Sequence, residues 1–180
     1  MTMVSVAASE TVGSTFGGIT HGSSADGRYV LFSASGDDVV GGDTNRQLDV
    51  FVRDTVTGTT TRVSVTADGT QLASSGTVFG PRSAAISDDG RVVAFSNYSD
   101  AFGGTANTFD SFVKDLESGV VTLVSSDRFG NGANATAILS SMSGSGRYVA
   151  VATTADNLGV ADTNAVNDVY LKDVLTGAVT

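Results

Sequence analysis

The 180-residue chain has no cysteine, no tryptophan, one proline (Pro81) and one histidine (His21). The absence of cysteine excludes disulfides, thiolate metal sites and cysteine nucleophiles. It leaves the redox compartment open, because many exported bacterial proteins also lack cysteine. Nowhere does the sequence approach the roughly 18 consecutive apolar residues of a membrane-spanning helix. The N-terminus also lacks a basic stretch followed by an apolar one. Basic residues are scarce: 10 Lys and Arg against 19 Asp and Glu leave a formal charge of -9. Such a chain repels a phosphate backbone or an anionic membrane surface, which argues against nucleic acid as a partner and against membrane insertion.

Glycine is abundant, at 22 residues, and most of the remainder is Ser, Thr, Val, Ala and Asp. This is a composition of short strands and tight turns, so the expected fold class is all-β.

The chain repeats itself. Asp26-Gly27-Arg28-Tyr29-Val30-Leu31-Phe32 returns as Asp89-Gly90-Arg91-Val92-Val93-Ala94-Phe95 and as Ser145-Gly146-Arg147-Tyr148-Val149-Ala150-Val151. Asp49-Val50-Phe51-Val52-Arg53-Asp54 returns as Asp110-Ser111-Phe112-Val113-Lys114-Asp115 and as Asp168-Val169-Tyr170-Leu171-Lys172-Asp173. Each repeat reads as four strands. The first is Ile19 to Ser24, Ser83 to Ser87 or Ala137 to Ser143, and the second follows the Asp-Gly turn, which predicts a two-residue hairpin with positive φ at both central positions. The third is Val50 to Arg53 and its copies, and the fourth is Thr60 to Val65. Four antiparallel strands make one propeller blade, and the near-continuous apolar runs of the central strands require a neighbouring blade on each face. The predicted blades cover about residues 15–66, 78–126 and 135–180, forming a single unit over 1–180.

Val4-Ser5-Val6 matches the fourth-strand residues Val63-Ser64-Val65, while Thr180 corresponds to Thr61. Residues 2–7 are therefore expected to complete the third blade, either of the same chain or of a partner. Three blades are fewer than the typical four to eight, so the expectation is half of a six-bladed ring closed as a homodimer.

The order Asp-Gly-Arg-Tyr-Val, Gly-Asp-Thr-Asn-x-x-x-Asp-Val-Phe-Val-Arg-Asp, Thr-Gly-x-Thr-Thr-Arg-Val-Ser-Val resembles the TolB-like, WD40-like propeller repeats of bacterial exported and cell-surface proteins. The resemblance covers essentially the whole chain. It implies a protein-binding or structural module in an extracellular, cell-surface or periplasmic location.

The loop between the second and third strands is the best site candidate. Asp43, Asn45 and Asp49 recur as Asp162, Asn164 and Asp168, three side-chain oxygens at i, i+2 and i+6. With loop carbonyls and water they offer the hard oxygen ligands that calcium takes. The alternative is structural: Asp43 and Asn45 close Asx-turns and Asp49 caps a strand entry. The second repeat is two residues shorter here and lacks the Asp43 equivalent, so it is not expected to bind. Asp54, Asp115 and Asp173 are expected to make Asx-turns, and Arg28, Arg91 and Arg147 to pair with nearby carboxylates. His21 falls on the innermost strand, which lines the channel of a propeller, but no Gly-x-Ser-x-Gly elbow accompanies it. Ser24, Ser87 and Ser143 hold one repeated position, which points to scaffold rather than nucleophile.

The leading functional expectation is thus a non-catalytic, self-associating scaffold for a protein or glycan partner, with calcium as a stabilising ligand. The alternatives are a hydrolase or lyase acting at the central channel, and an excised or designed half-propeller whose function is assembly.

Overall fold

The computed structural model describes residues 18–45, 47–71, 83–98, 102–106, 108–159, 162–164 and 166–180. The strand 2–7 expected to close the third blade lies outside them. Among the described residues there are eleven strands: β1 (Ile19–Ser23), β2 (Tyr29–Ala34), β3 (Asp49–Asp54), β4 (Thr59–Arg62), β5 (Ala84–Ile86), β6 (Val92–Asn97), β7 (Asp110–Asp115), β8 (Val121–Leu123), β9 (Ala137–Met142), β10 (Tyr148–Thr153) and β11 (Asp168–Asp173). They form three antiparallel meanders, β1-β2-β3-β4, β5-β6-β7-β8 and β9-β10-β11. The fold is all-β and consists of three propeller blades. Blade 3 begins its fourth strand at Ala178, where Asp173 N–H donates to Ala178 C=O (2.9 Å) and Leu171 N–H to Thr180 C=O (2.8 Å). Among the described residues no helix is long and apolar enough to cross a membrane.

The turn between the first two strands of each blade differs from the two-residue hairpin that Asp-Gly suggests. Ser24 N–H bonds Tyr29 C=O (2.9 Å) and Gly27 N–H bonds Ser24 C=O (3.0 Å), so the loop holds four residues, with Gly27 left-handed at φ 72°. Ser24 decides the outcome. Its hydroxyl accepts from Tyr29 N–H (2.9 Å) and donates to Asp26 Oδ1 (2.6 Å), whose carboxylate also accepts from Arg28 N–H (3.0 Å). A side chain thereby satisfies a backbone donor that a tighter hairpin would have paired with backbone. Ser87 repeats the arrangement with Val92 N–H and Asp89, and Ser143 with Tyr148 N–H and Ser145.

Blades stack through their central strands. Leu31, Val50 and Val52 of blade 1 pack on Val93, Phe95 and Phe112 of blade 2. Ala94 and Val113 of blade 2 pack on Leu139, Val149 and Val151 of blade 3. At the turns the blades meet backbone to backbone: Ala25 N–H donates to Asp88 C=O (2.9 Å), and Asp88 N–H to Gly144 C=O (2.7 Å). Two glycines permit this closeness. A Cβ on Gly90 would lie 2.1 Å from Tyr29 Cδ2 of the preceding blade, and one on Gly146 would lie 2.7 Å from Val92 Cβ.

Phe95 is fully buried between blades 1 and 2. Truncating such a side chain costs its transfer energy plus a cavity. Phe95→Ala should therefore lower stability by about 3–5 kcal/mol, read as a shifted midpoint in urea denaturation.

Candidate functional site

Asp43 and Asp49 come together at the outer end of blade 1, and an arginine from β4 stands with them. Arg62 Nη1 lies 2.9 Å from Asp43 Oδ1 and 3.8 Å from Asp49 Oδ2. Asp49 is fully buried and Asp43 nearly so. Asp49 also accepts a short hydrogen bond from the Ser64 hydroxyl, and Val50 N–H donates to that hydroxyl (3.0 Å). Burial pushes the Asp49 carboxyl up to about 6, opposed by the Ser64 bond and assisted by the nearby Asp43 charge. Asp43 is raised as well, chiefly by burial and against the pull of Arg62.

The rest of the loop is built from turns. Asn45 Oδ1 accepts from Gln47 N–H (3.0 Å). Gln71 straps the loop from outside, its Oε1 accepting from Thr44 N–H (3.1 Å) and Arg62 Nη1 (3.1 Å) while its Nε2 donates to Gly42 C=O (2.6 Å). In blade 1 the positive charge between the two aspartates is thus Arg62.

Blade 2 shows what happens without that arginine. In blade 2, Leu123 holds the register position of Arg62, opposite Phe112 as Arg62 is opposite Phe51. Asp110 keeps the serine bond (Ser125 Oγ to Oδ1, 2.7 Å), and the shortened loop turns Thr105 N–H onto its second oxygen (2.6 Å). In blade 3, Asp162 and Asn164 form successive Asx-turns with Asn164 N–H (3.0 Å) and Val166 N–H (2.9 Å). Among the described residues, neither Asp162 nor Asp168 has an ion pair, and Asp162 Oδ2 is buried without a hydrogen-bond partner. Among the described residues no group of three or more acidic or histidine side chains is placed to hold a metal ion.

On the innermost strand, His21 Nε2 lies 2.9 Å from Ser33 Oγ, and burial lowers its pKa. Ser24, Ser87 and Ser143 are consumed by their turns. The repeated arginines pair as expected, Arg28 with Asp54 (2.7 Å), Arg91 with Asp115 (2.8 Å) and Arg147 with Asp173 (2.7 Å). The three aspartates also close Asx-turns, as Asp54 does with Val56 N–H (2.9 Å). The paired arginine holds each of these carboxyls well below the usual range.

Two features escape a reading of the sequence by motif. One is a buried lysine clasp between blades. Lys114 Nζ donates to Val63 C=O (3.1 Å) and Val65 C=O (2.7 Å) of blade 1. Lys172 Nζ does the same to Ser126 C=O (3.0 Å) and Asp127 C=O (2.8 Å) of blade 2. Burial pulls Lys114 down to about 8. The signal was a basic residue repeated inside a buried strand. The other feature is a cleft that recurs between blades. A cleft of about 390 Å³ is lined by Tyr29, Val52 and Thr61 facing Gly90, Arg91 and Leu116. Its counterpart of about 300 Å³ has Val92, Val113 and Thr122 facing Gly146, Arg147 and Val174.

No protein-family model and no curated protein matches the chain. Among solved structures, it is similar to a protein described as TolB from Agrobacterium tumefaciens, at 19% identity over 93% of this chain and 49% of that one, with a TM-score of 0.49. It is also similar to an oligogalacturonate lyase in complex with manganese, at 12% identity over 91% of this chain and 40% of that one, with a TM-score of 0.48. The chain spans half or less of the length of either protein.

Two outcomes test the Asp43–Arg62–Asp49 cluster. Arg62→Leu leaves two buried carboxylates without their cation and should cost about 3–5 kcal/mol; adding Asp43→Ala should recover part of the loss in chemical denaturation. The second concerns pH. Folded Asp49 binds its proton more tightly than the unfolded side chain does, about 6 against 3.8. Its contribution is therefore fully present below about pH 4 and is lost as pH rises through about 6, up to about 3 kcal/mol. The depressed carboxyls of Asp54, Asp115 and Asp173 act oppositely, their contribution being lost only as pH falls below 3.8. Asp49→Asn should flatten the limb between pH 4 and 6 and leave the acid limb unchanged.

Proposed function

We propose that the chain is a non-catalytic β-propeller module that offers a row of equivalent inter-blade clefts to a protein or glycan partner. The observation that carries this reading is the repetition of the cleft. Tyr29, Val52, Asp54, Thr59 and Thr61 on one side of the first are matched in register by Val92, Val113, Asp115, Val120 and Thr122 in the second. A catalytic centre is a single constellation of unlike groups, whereas a repeated groove suits a partner that is itself extended.

The channel-facing strands speak against the alternative of a hydrolase or lyase. They carry His21, which is turned onto Ser33, and no Asp or Glu lies within β1, β5 or β9. Calcium stays part of this reading at Asp43, Asn45 and Asp49 and at Asp162, Asn164 and Asp168; in the blade 1 loop it would compete with Arg62, which stands between the two aspartates. The exported location that the resemblance implies belongs to the same reading.

The test is an array of synthetic peptides and oligosaccharides probed with the wild-type chain and with Thr61→Trp/Thr122→Trp. Both threonines are exposed, so the indoles fill the clefts without entering the core. Ligands found with the wild type should bind the variant at least tenfold more weakly. Equal binding, or cleavage of an oligosaccharide by the wild-type chain, would overturn the reading.

A further inference from the structure

Several contacts that join one blade to the next are present at both seams, and their counterparts stand open at the turn edge of blade 1 and on the outer face of blade 3. The backbone ladder runs from Ala25 N–H to Asp88 C=O and from Asp88 N–H to Gly144 C=O. Among the described residues, Gly144 N–H has no acceptor and Ala25 C=O no donor. Tyr29 covers Gly90 and Val92 covers Gly146, yet nothing lies within 4 Å of where a Cβ on Gly27 would be. Tyr148, the register equivalent of Tyr29 and Val92, is 39% exposed.

The central strands tell the same story. Leu31 and Val52 of blade 1 are buried by blade 2, and Ala94 and Val113 of blade 2 by blade 3. The equivalent pair in blade 3 is Ala150 and Leu171. Leu171 is 45% exposed and its neighbour on the same face, Val169, 66%. The chain does not close this face on its own blade 1.

We propose that a second copy of this chain closes the ring head to tail, its blade 1 seated on blade 3 of the first and the reverse at the other seam. The inference rests on the reading of the chain as a propeller module. In each seam Tyr148 covers Gly27 of the other copy, Gly144 N–H donates to the Ala25 carbonyl, and Val169 and Leu171 lose their water. A copy carries the matching edge, because trailing and leading edges of one repeat are complementary at both internal seams. Such a heterologous contact either closes or grows without limit. Two chains of three blades fall within the ordinary range of propeller sizes. Phe32 and Phe51, the counterparts of Phe95 and Phe112, are already covered, in part by Val39 and Val40. Closure at that face requires the incoming blade to take the place of that cover.

The absence of cysteine gives a clean test. Chains carrying Tyr148→Cys and Gly27→Cys singly are mixed in equal amounts and oxidised; a covalent dimer should form in the mixture well above the yield of either chain alone. In light scattering the wild type should run at twice 18.2 kDa. Leu171→Asp, a change at an exposed position, should shift it to monomer by at least a hundredfold in Kd with unchanged circular dichroism. A wild-type monomer at 100 μM, a trimer or an open polymer would overturn the proposal, as would a dimer indifferent to Leu171→Asp. A monomer that still binds array ligands through its clefts overturns the closure alone; a dimer that cleaves an oligosaccharide overturns the module reading alone.

Discussion

A four-stranded blade has two faces and can bury neither by itself. Its central strands are apolar on both sides: Val93 to Phe95 and Phe112 to Val113 have almost no exposure, three of the five because of the blade before and two because of the blade after. Every other feature serves that stacking. The turn glycines let one blade approach the next, the ladder from Ala25 to Asp88 to Gly144 spaces the turns, and the lysine clasps cover carbonyls that the fourth strands leave behind. Apolar burial at roughly 25 cal/mol per Å² supplies the attraction. The polar contacts fix its geometry, because an unpaired amide in the seam would cost about 1–3 kcal/mol.

The lysines show how far that requirement reaches. Lys114 is 6% exposed, and among the described residues it meets no carboxylate, only the carbonyls of Val63 and Val65. An ammonium is an expensive group to desolvate. Its position is intelligible because fourth-strand carbonyls at the edge of a blade have no further strand to receive them. Three donors on one flexible stem can meet two carbonyls at once, and the cost appears as the lowered pKa.

Much of this was legible in the sequence, for identifiable reasons. The repeats display the strands directly, because a buried strand must be apolar at fixed distances from its turns. The Arg28–Asp54 pair and its copies were legible because each repeat places both residues at the same strand ends. The turn length was not. Asp-Gly implies a tight hairpin only when no neighbouring side chain competes for the backbone, and Ser24 does compete. The aspartate loop was half legible: the Asx-turns of Asn45 and Asn164 follow from local spacing. Arg62, however, reaches Asp43 from 19 residues away, through a strand pairing that no local pattern contains.

That pairing also explains the way in which blade 2 departs from blade 1. Asp43 and Arg62 are both absent there, the arginine replaced by Leu123 and the loop shortened past the aspartate. Removing one member of a buried ion pair strands a charge, whereas replacing both with apolar or backbone groups is close to neutral. Asp110 survives the change because it was never held by the arginine alone. Ser125 keeps one oxygen and Thr105 N–H takes the other. The serine–aspartate bond is therefore the part of the motif that blades 1 and 2 share, joining the third strand to the fourth. Between blades 1 and 2 the arginine and the outer aspartate are lost together.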